Sequence, residues 1–206
     1  MALTIENLDA IRLDALKEVG NIGAGNAMTA LAEMVDSKVD MSVPRVGILP
    51  LREFVEIAGG PESLSVGVYL PVTGDAPGHV AFLMPIESAL RLSTHLLGMP
   101  GTPLTELDDM ALSALTEVGN ILTSSYIRAI GELTGLELVC APPMVAMDMT
   151  AAILSAIIMA LPMDSEHVLT IVTEISEVFS TIEGFFIYIP EPGSLPTILH
   201  ALQLEG

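Results

Sequence analysis

Two short stretches of this chain place a carboxylate and a carboxamide one helical turn apart, and the stretches are copies of each other. Asp14, Glu18 and Asn21 follow steps of four and three, and Ser113, Glu117 and Asn120 repeat those steps 99 positions later. At about 100° per residue, each trio falls within about 60° on one helix face. A carboxylate that accepts and a carboxamide that both donates and accepts make two fixed hydrogen-bonding arms. One Glu-x-x-Asn alone is an ordinary solvated helix face. Its surroundings give it weight: the segments 13–22 and 112–121, LDALKEVGNI and LSALTEVGNI, match at eight of ten positions. The same offset pairs Ala30 with Ala129, Glu33 with Glu132, Pro44 with Pro143 and Val46 with Val145. Matches at one fixed offset point to duplication.

Other chemistries lack their residues. The chain has no Gly-x-Ser-x-Gly elbow, and neither repeated segment holds a histidine to act as a base for serine chemistry. His79, His95, His167 and His200 are widely spaced, so no metal held by this chain is expected. The single Cys140 excludes an internal disulfide and reads as a small buried hydrophobe. The string 20–25, GNIGAG, lacks the Lys-Ser or Lys-Thr of a phosphate loop and lies inside a helical pattern. What remains duplicated is acid and amide, which suits positioning a water more than nucleophilic attack. The expected catalytic residues are therefore Glu18, Asn21, Glu117 and Asn120, supported by Asp14 and Ser113. Glycine inside a helix costs about 1 kcal/mol relative to alanine, so Gly20, Gly23 and Gly25 need a reason. Gly20 and Gly119 directly precede the two asparagines. There a missing side chain either lets a partner's backbone come close or lets helices pack tightly.

Composition bounds the partners. Twenty-six acidic residues face seven basic ones, for a net charge of −19. A phosphate-backbone binder needs the opposite field, so nucleic acid is excluded as a partner. Long-range attraction of an acidic protein is excluded too in dilute salt. Lys17 and Lys38 are the only lysines, which favours adaptation to concentrated salt over an ordinary acidic protein. With 51% hydrophobic residues the 206-residue chain can bury a sizeable core. Its longest apolar run, Thr150 to Leu161, is closed by Pro162 and is too short to span a bilayer. Near the start, Glu6 and Asp9 stand where a secretory signal would be apolar. A cytoplasmic protein with no membrane insertion is expected.

The elements that must position the two trios follow from hydrophobic periodicity. Leu16, Val19, Gly23, Ala27, Ala30 and Met34 recur at three- or four-residue steps and predict one buried stripe on a long helix. A strand over 39–49 broken by Pro44 follows, then a short helix over about 50–58, strands over 64–73 and 78–84, and a helix over 87–97. The second half repeats the plan, with a helix over 108–134, a strand over 137–145, a helix over 147–161, strands over 167–178 and 183–189, and a helix over 195–203. This predicts an α/β fold: one duplicated domain of two homologous halves, about 1–100 and 101–206, related by a pseudo-twofold. Strands of both halves form a central sheet, and long helices bearing the active sites cover it.

Asp or Ser, three residues, Glu, two residues, Asn, then 22 residues and Pro is met twice, by Asp14, Glu18, Asn21 and Pro44 and by Ser113, Glu117, Asn120 and Pro143. This pattern resembles the motif of the CheC, CheX and FliY family of phosphatases. The strings 16–26, 42–44, 70–75 and 189–193 resemble its CheC branch in particular, and the resemblance spans nearly the whole chain. It implies hydrolysis of the phosphoaspartate of the response regulator CheY, with magnesium supplied by the regulator and no cofactor of the chain's own. It also implies that Asn21 and Asn120 hold the attacking water, that Glu18 and Glu117 anchor the regulator through its lysine, and that the receptor deamidase CheD is a partner. The segment from Met147 to Ile153 is a candidate CheD contact, because Asp148 is expected to head an apolar helix. Two other readings stand beside this one: a non-catalytic binding module resembling the middle domain of the flagellar switch protein FliM, and a metal-dependent hydrolase.

Overall fold

Helical stripes and β-branched runs alternate along the chain, and the computed structural model resolves them in the same order twice; it describes residues 10–35, 40–98, 104–159, 167–177 and 180–202. The first half contributes α1 (Ala10–Val35), β1 (Asp40–Pro50), α2 (Leu51–Ile57), β2 (Leu64–Gly74), β3 (Gly78–Pro85) and α3 (Ile86–Leu96). The second contributes α4 (Asp109–Thr134), β4 (Leu138–Cys140), β5 (Met144–Met149), α5 (Thr150–Met159), β6 (His167–Glu177), β7 (Ser180–Pro190) and α6 (Ser194–Ala201). The long second helix has both ends defined. The Asp108 carboxylate accepts from the Ala111 amide at 2.8 Å, and Gly135 at φ 70° closes the last turn in the left-handed region.

All strands join one antiparallel sheet in the order β1-β6-β7-β3-β2, with β4 and β5 following one another along the outer edge of β2. The order reads the same from both ends once the halves are exchanged. β1 of the first half lies on β6 of the second, and β5 lies on β2 of the first. β3 and β7 meet in the middle, where Phe82 stands opposite Phe186. Each half thus lends a strand to the other's hairpin, and the duplication seen in the sequence becomes a pseudo-twofold across the sheet centre.

Alternate residues of the strands face two separate apolar layers. On one face, Val66, Val68, Phe82, Ile171 and Phe186 pack under α1, α4, α3 and α6. On the other, Ala81, Leu83, Val172 and Phe185 pack under α2 and α5, with Phe54 edge-on to Phe185 at 6.1 Å between ring centroids. Both helices bearing the candidate site residues lie in the first layer and pack against each other. Tyr126 of α4 is buried in that contact. Its ring fills the space left by Gly23 of α1, stacks at a tilt on Phe186 at 4.8 Å and bonds through its hydroxyl to Thr173 Oγ1 at 2.7 Å. One side chain therefore ties α4 to α1 and to the sheet.

Three local expectations change. The strand read over 137–145 is two strands, β4 and β5, because Pro142 and Pro143 between them have no amide to donate to a ladder. β5 then runs to Met149, pairing Asp148 with Ser65, so α5 begins at Thr150 and Asp148 does not head it. The Asp148 carboxylate instead accepts from the Met149 amide at 2.7 Å. In α1 the buried stripe runs through Leu16, Val19, Gly23, Ala27 and Leu31, while Ala30 is half-buried and Met34 is exposed. A period of 3.6 makes the step after Ala27 four residues long.

Candidate active site

The buried residues of each long helix turn the polar trio outward. In α1, Leu16, Val19 and Gly20 face the sheet, leaving Asp14, Glu18 and Asn21 exposed. A Cβ at Gly20 would meet Val43 Cγ1 at 3.0 Å and Val46 Cγ2 at 3.1 Å, so this turn of the helix rests directly on β1. Lys17 lies 3.6 Å from Asp14 Oδ1, both exposed. In α4, Leu115, Val118 and Gly119 face inward, and Ser113 and Glu117 are exposed. A Cβ at Gly119 would stand 2.5 Å from Val68 Cβ on β2. With other described residues, the side chains of Glu18, Asn21 and Glu117 form no hydrogen bond or ion pair. Exposed polar side chains without a partner among the described residues can meet a partner's polar groups.

Asn120 differs from its counterpart. It is half-buried, and Ser124 Oγ donates to its Oδ1 at 3.4 Å. Ser124 in turn lies beside the Cys140 thiol of β4. Burial pushes that thiol up, and the serine contact draws it part of the way back. Ser124, Arg128, Glu132, Leu138 and Cys140 line a groove of about 520 Å³ between α4 and β4. Arg128 and Glu132 form an exposed ion pair at 3.7 Å along its α4 wall.

Among known proteins, the family model described as "CheC-like family" matches residues 11–48 and 110–147, the two segments that carry the repeated trios. The chain is also 38% identical over 166 residues to the "CheY-P phosphatase CheC" of Bacillus subtilis, covering 80% of this chain and 79% of that relative. The chain belongs to the CheC-like family.

Solved structures place the fold more widely than the sequence does. Thermotoga maritima FliY superposes with a TM-score of 0.76 at 20% identity, over 98% of both chains. The FliM middle domain of Helicobacter pylori reaches 0.66 at 14% identity, over 94% of this chain and 99% of its own. A Borrelia burgdorferi CheX, solved in complex with CheY, BeF3 and magnesium, reaches 0.53 at 20% identity, over 85% and 98%. At such identities these likenesses speak for the architecture alone. Within this CheC-like chain the residue types at the outward positions must therefore carry the functional argument.

Each trio read from the sequence lies together on one helix face, as the helical spacing requires, exposed throughout in α1 and half-buried at Asn120 in α4. The two glycines do not. Gly20 and Gly119 are buried against β-strand side chains, so they bring their helices close to the sheet and offer no opening to a partner's backbone. The helix-to-helix role falls to Gly23 alone. Cys140 is half-buried at the groove instead of sealed in the core. No motif points to Ser124. The signal for it was a difference between the copies: position 124 is Ser where the first copy has Gly25. Among the described residues, no group of three His, Cys, Asp or Glu side chains is arranged to hold a metal, and no helix is long and apolar enough to cross a membrane.

Proposed function

We propose that this chain hydrolyses the phosphoaspartate of a phosphorylated CheY-type response regulator, using Glu18 with Asn21 and Glu117 with Asn120. The observation that carries this reading is the duplicated Glu–Asn pair, outward on two helices whose inward faces are locked to the sheet. The CheC of Bacillus subtilis, a CheY-P phosphatase by name, supports the reaction and the substrate. A purely binding module on this fold has no need of the same acid–amide pair at two sites.

A phosphoaspartate is an activated acyl phosphate, so its hydrolysis needs a water in line more than a strong base. Phosphoryl transfer is largely positioning and charge stabilisation, and a carboxamide can orient the attacking water. Asn21 or Asn120 reaches the regulator's phosphorylation site and takes the water's proton side through its carboxamide oxygen. Glu18 or Glu117, one turn away on the same face, anchors the regulator by pairing with its lysine. Asp14 and Ser113 support the face without touching the phosphoryl group. Magnesium, held by the regulator's own residues, would supply charge stabilisation for the phosphoryl group.

The test is phosphate release from a phosphorylated CheY. Asn21→Ala and Asn120→Ala each lower the rate, and the double variant nearly abolishes it with the fold retained by circular dichroism. Glu18→Ala and Glu117→Ala follow the same pattern with a larger rise in KM. A folded double asparagine variant with undiminished activity would sink the assignment. The same reading makes the protein cytoplasmic and CheD a second partner, with the exposed β5 residues Met147 and Asp148 as its contact. A pull-down with the CheD of the same organism checks this, and no recovery at working salt counts against it.

A further inference from the structure

The two copies of the motif differ at a position that bears on the asparagine. Four residues after Asn120 stands Ser124, and four residues after Asn21 stands Gly25. Helical side chains lean toward the N-terminus, so a residue at i+4 reaches back over residue i. Ser124 does this and donates to Asn120 Oδ1 at 3.4 Å, a long bond of the kind that tightens when a reacting complex forms. On its other side it contacts the Cys140 thiol, whose burial favours the protonated form. Ser124 thus stands between the Asn120 amide and the Cys140 thiol at the sheet edge. Among the described residues, the first site has no counterpart of the Ser124 hydroxyl. Gly25 has no side chain, the space a Cβ would enter there is open, and Asn21 is exposed.

We propose that Ser124 is a positioning residue for Asn120, and that it makes the second site the faster of the two. The proposal rests on the reading of Asn120 as the group that orients the water. A carboxamide oxygen has two lone pairs. Ser124 takes one and holds the amide against a flip, and the other remains for the water's proton. The amide of Asn21 samples both orientations, so a smaller fraction of bound regulator meets a correctly held water. Ser124 acts on the amide, so its contribution falls on kcat and not on KM.

Each site is isolated by removing the other's asparagine. In an Asn21→Ala background, Ser124→Ala lowers kcat about three- to tenfold, the loss of one neutral hydrogen bond in the reacting complex, with KM unchanged. Ser124→Thr keeps the hydroxyl and restores most of the rate. In an Asn120→Ala background, Gly25→Ser raises the kcat of the first site about twofold or more above a Gly25→Ala control, which corrects for helix propensity. An unchanged kcat for Ser124→Ala overturns the proposal. So does a change in KM alone, or a loss that Ser124→Thr does not repair. The Asn21→Ala/Asn120→Ala variant separates the two levels of the argument. If it stays active, the asparagine reading fails and the proposal with it. If it is inactive while Ser124→Ala is silent, the proposal alone fails.

Discussion

Gly119→Ala distinguishes a glycine that seats a helix from one that admits a partner. The added methyl would stand 2.5 Å from both Val68 Cβ and Cγ2, and 2.8 Å from Cγ1. Val68 is buried in β2, paired with Phe82 on one side and Val145 on the other, so its Cβ is fixed by the ladder. Relief requires α4 to lift from the sheet by about 1 Å, and Tyr126 resists this through its place against Gly23 and its bond to Thr173. Overpacking of this kind costs about 3 kcal/mol at the upper end of its range, offset by about 1 kcal/mol of helix propensity. The net is a loss of about 2 kcal/mol, or about 4–8 °C in melting temperature for a chain of this length. Gly20→Ala is the internal control. Its methyl would meet single Cγ methyls of Val43 and Val46 at 3.0 and 3.1 Å, both half-buried side chains that need move only tenths of an ångström. There the strain and the propensity gain are both about 1 kcal/mol, and the melting temperature stays within about 2 °C. Thermal and urea denaturation followed by circular dichroism measure both variants. If the glycines served a partner's approach, both substitutions would stabilise the free protein and raise KM for the phosphorylated regulator. A Gly119→Ala variant as stable as the parent, or less affected than Gly20→Ala, refutes the seating argument.

Alkaline pH tests the Tyr126 anchor. Burial pushes its hydroxyl up to about 12, against a smaller opposing effect of the Thr173 bond. The unfolded chain therefore loses this proton first. The stabilisation is fully present below pH 10 and is lost as the pH rises through 12, a fall of about 2–3 kcal/mol from this group. Tyr126→Phe removes that part of the dependence, and a parent and variant with parallel stability profiles between pH 9 and 12 would contradict the burial argument. Salt tests the charge. With a net charge of −19, self-repulsion weakens the fold in dilute buffer, and screening lengths fall from about 10 Å at 0.1 M to about 3 Å at 1 M. Melting temperature and phosphatase rate should rise together over that range; a flat or falling melting temperature retires the reading of salt adaptation and leaves the active-site assignment standing.

Both polar trios could be read from the chain alone, because helical spacing and a repeat at fixed offset are one-dimensional facts. Asp14, Glu18 and Asn21, like Ser113, Glu117 and Asn120, needed only 3.6 residues per turn to share a face. The order of elements was legible for the same reason, since apolar periodicity is local. The family was legible too, because its motif is a spacing. Tertiary structure decided what each small or polar neighbour of the motif touches. Gly20 and Gly119 look alike beside their asparagines, yet whether a missing Cβ faces a partner or a strand depends on Val43, Val46 and Val68, which are distant in sequence. Asp148 looked like a helix start until pairing with Ser65 drew it into β5. The exchange of β1 and β5 between the halves is likewise invisible to local pattern, because the antiparallel pairing joins residues far apart in sequence, such as Asp40 with Ser176 and Leu64 with Met149. Ser124 shows the limit most clearly. A serine on a helix is chemically ordinary, and only the fold brings it beside the Cys140 thiol of β4 at the groove.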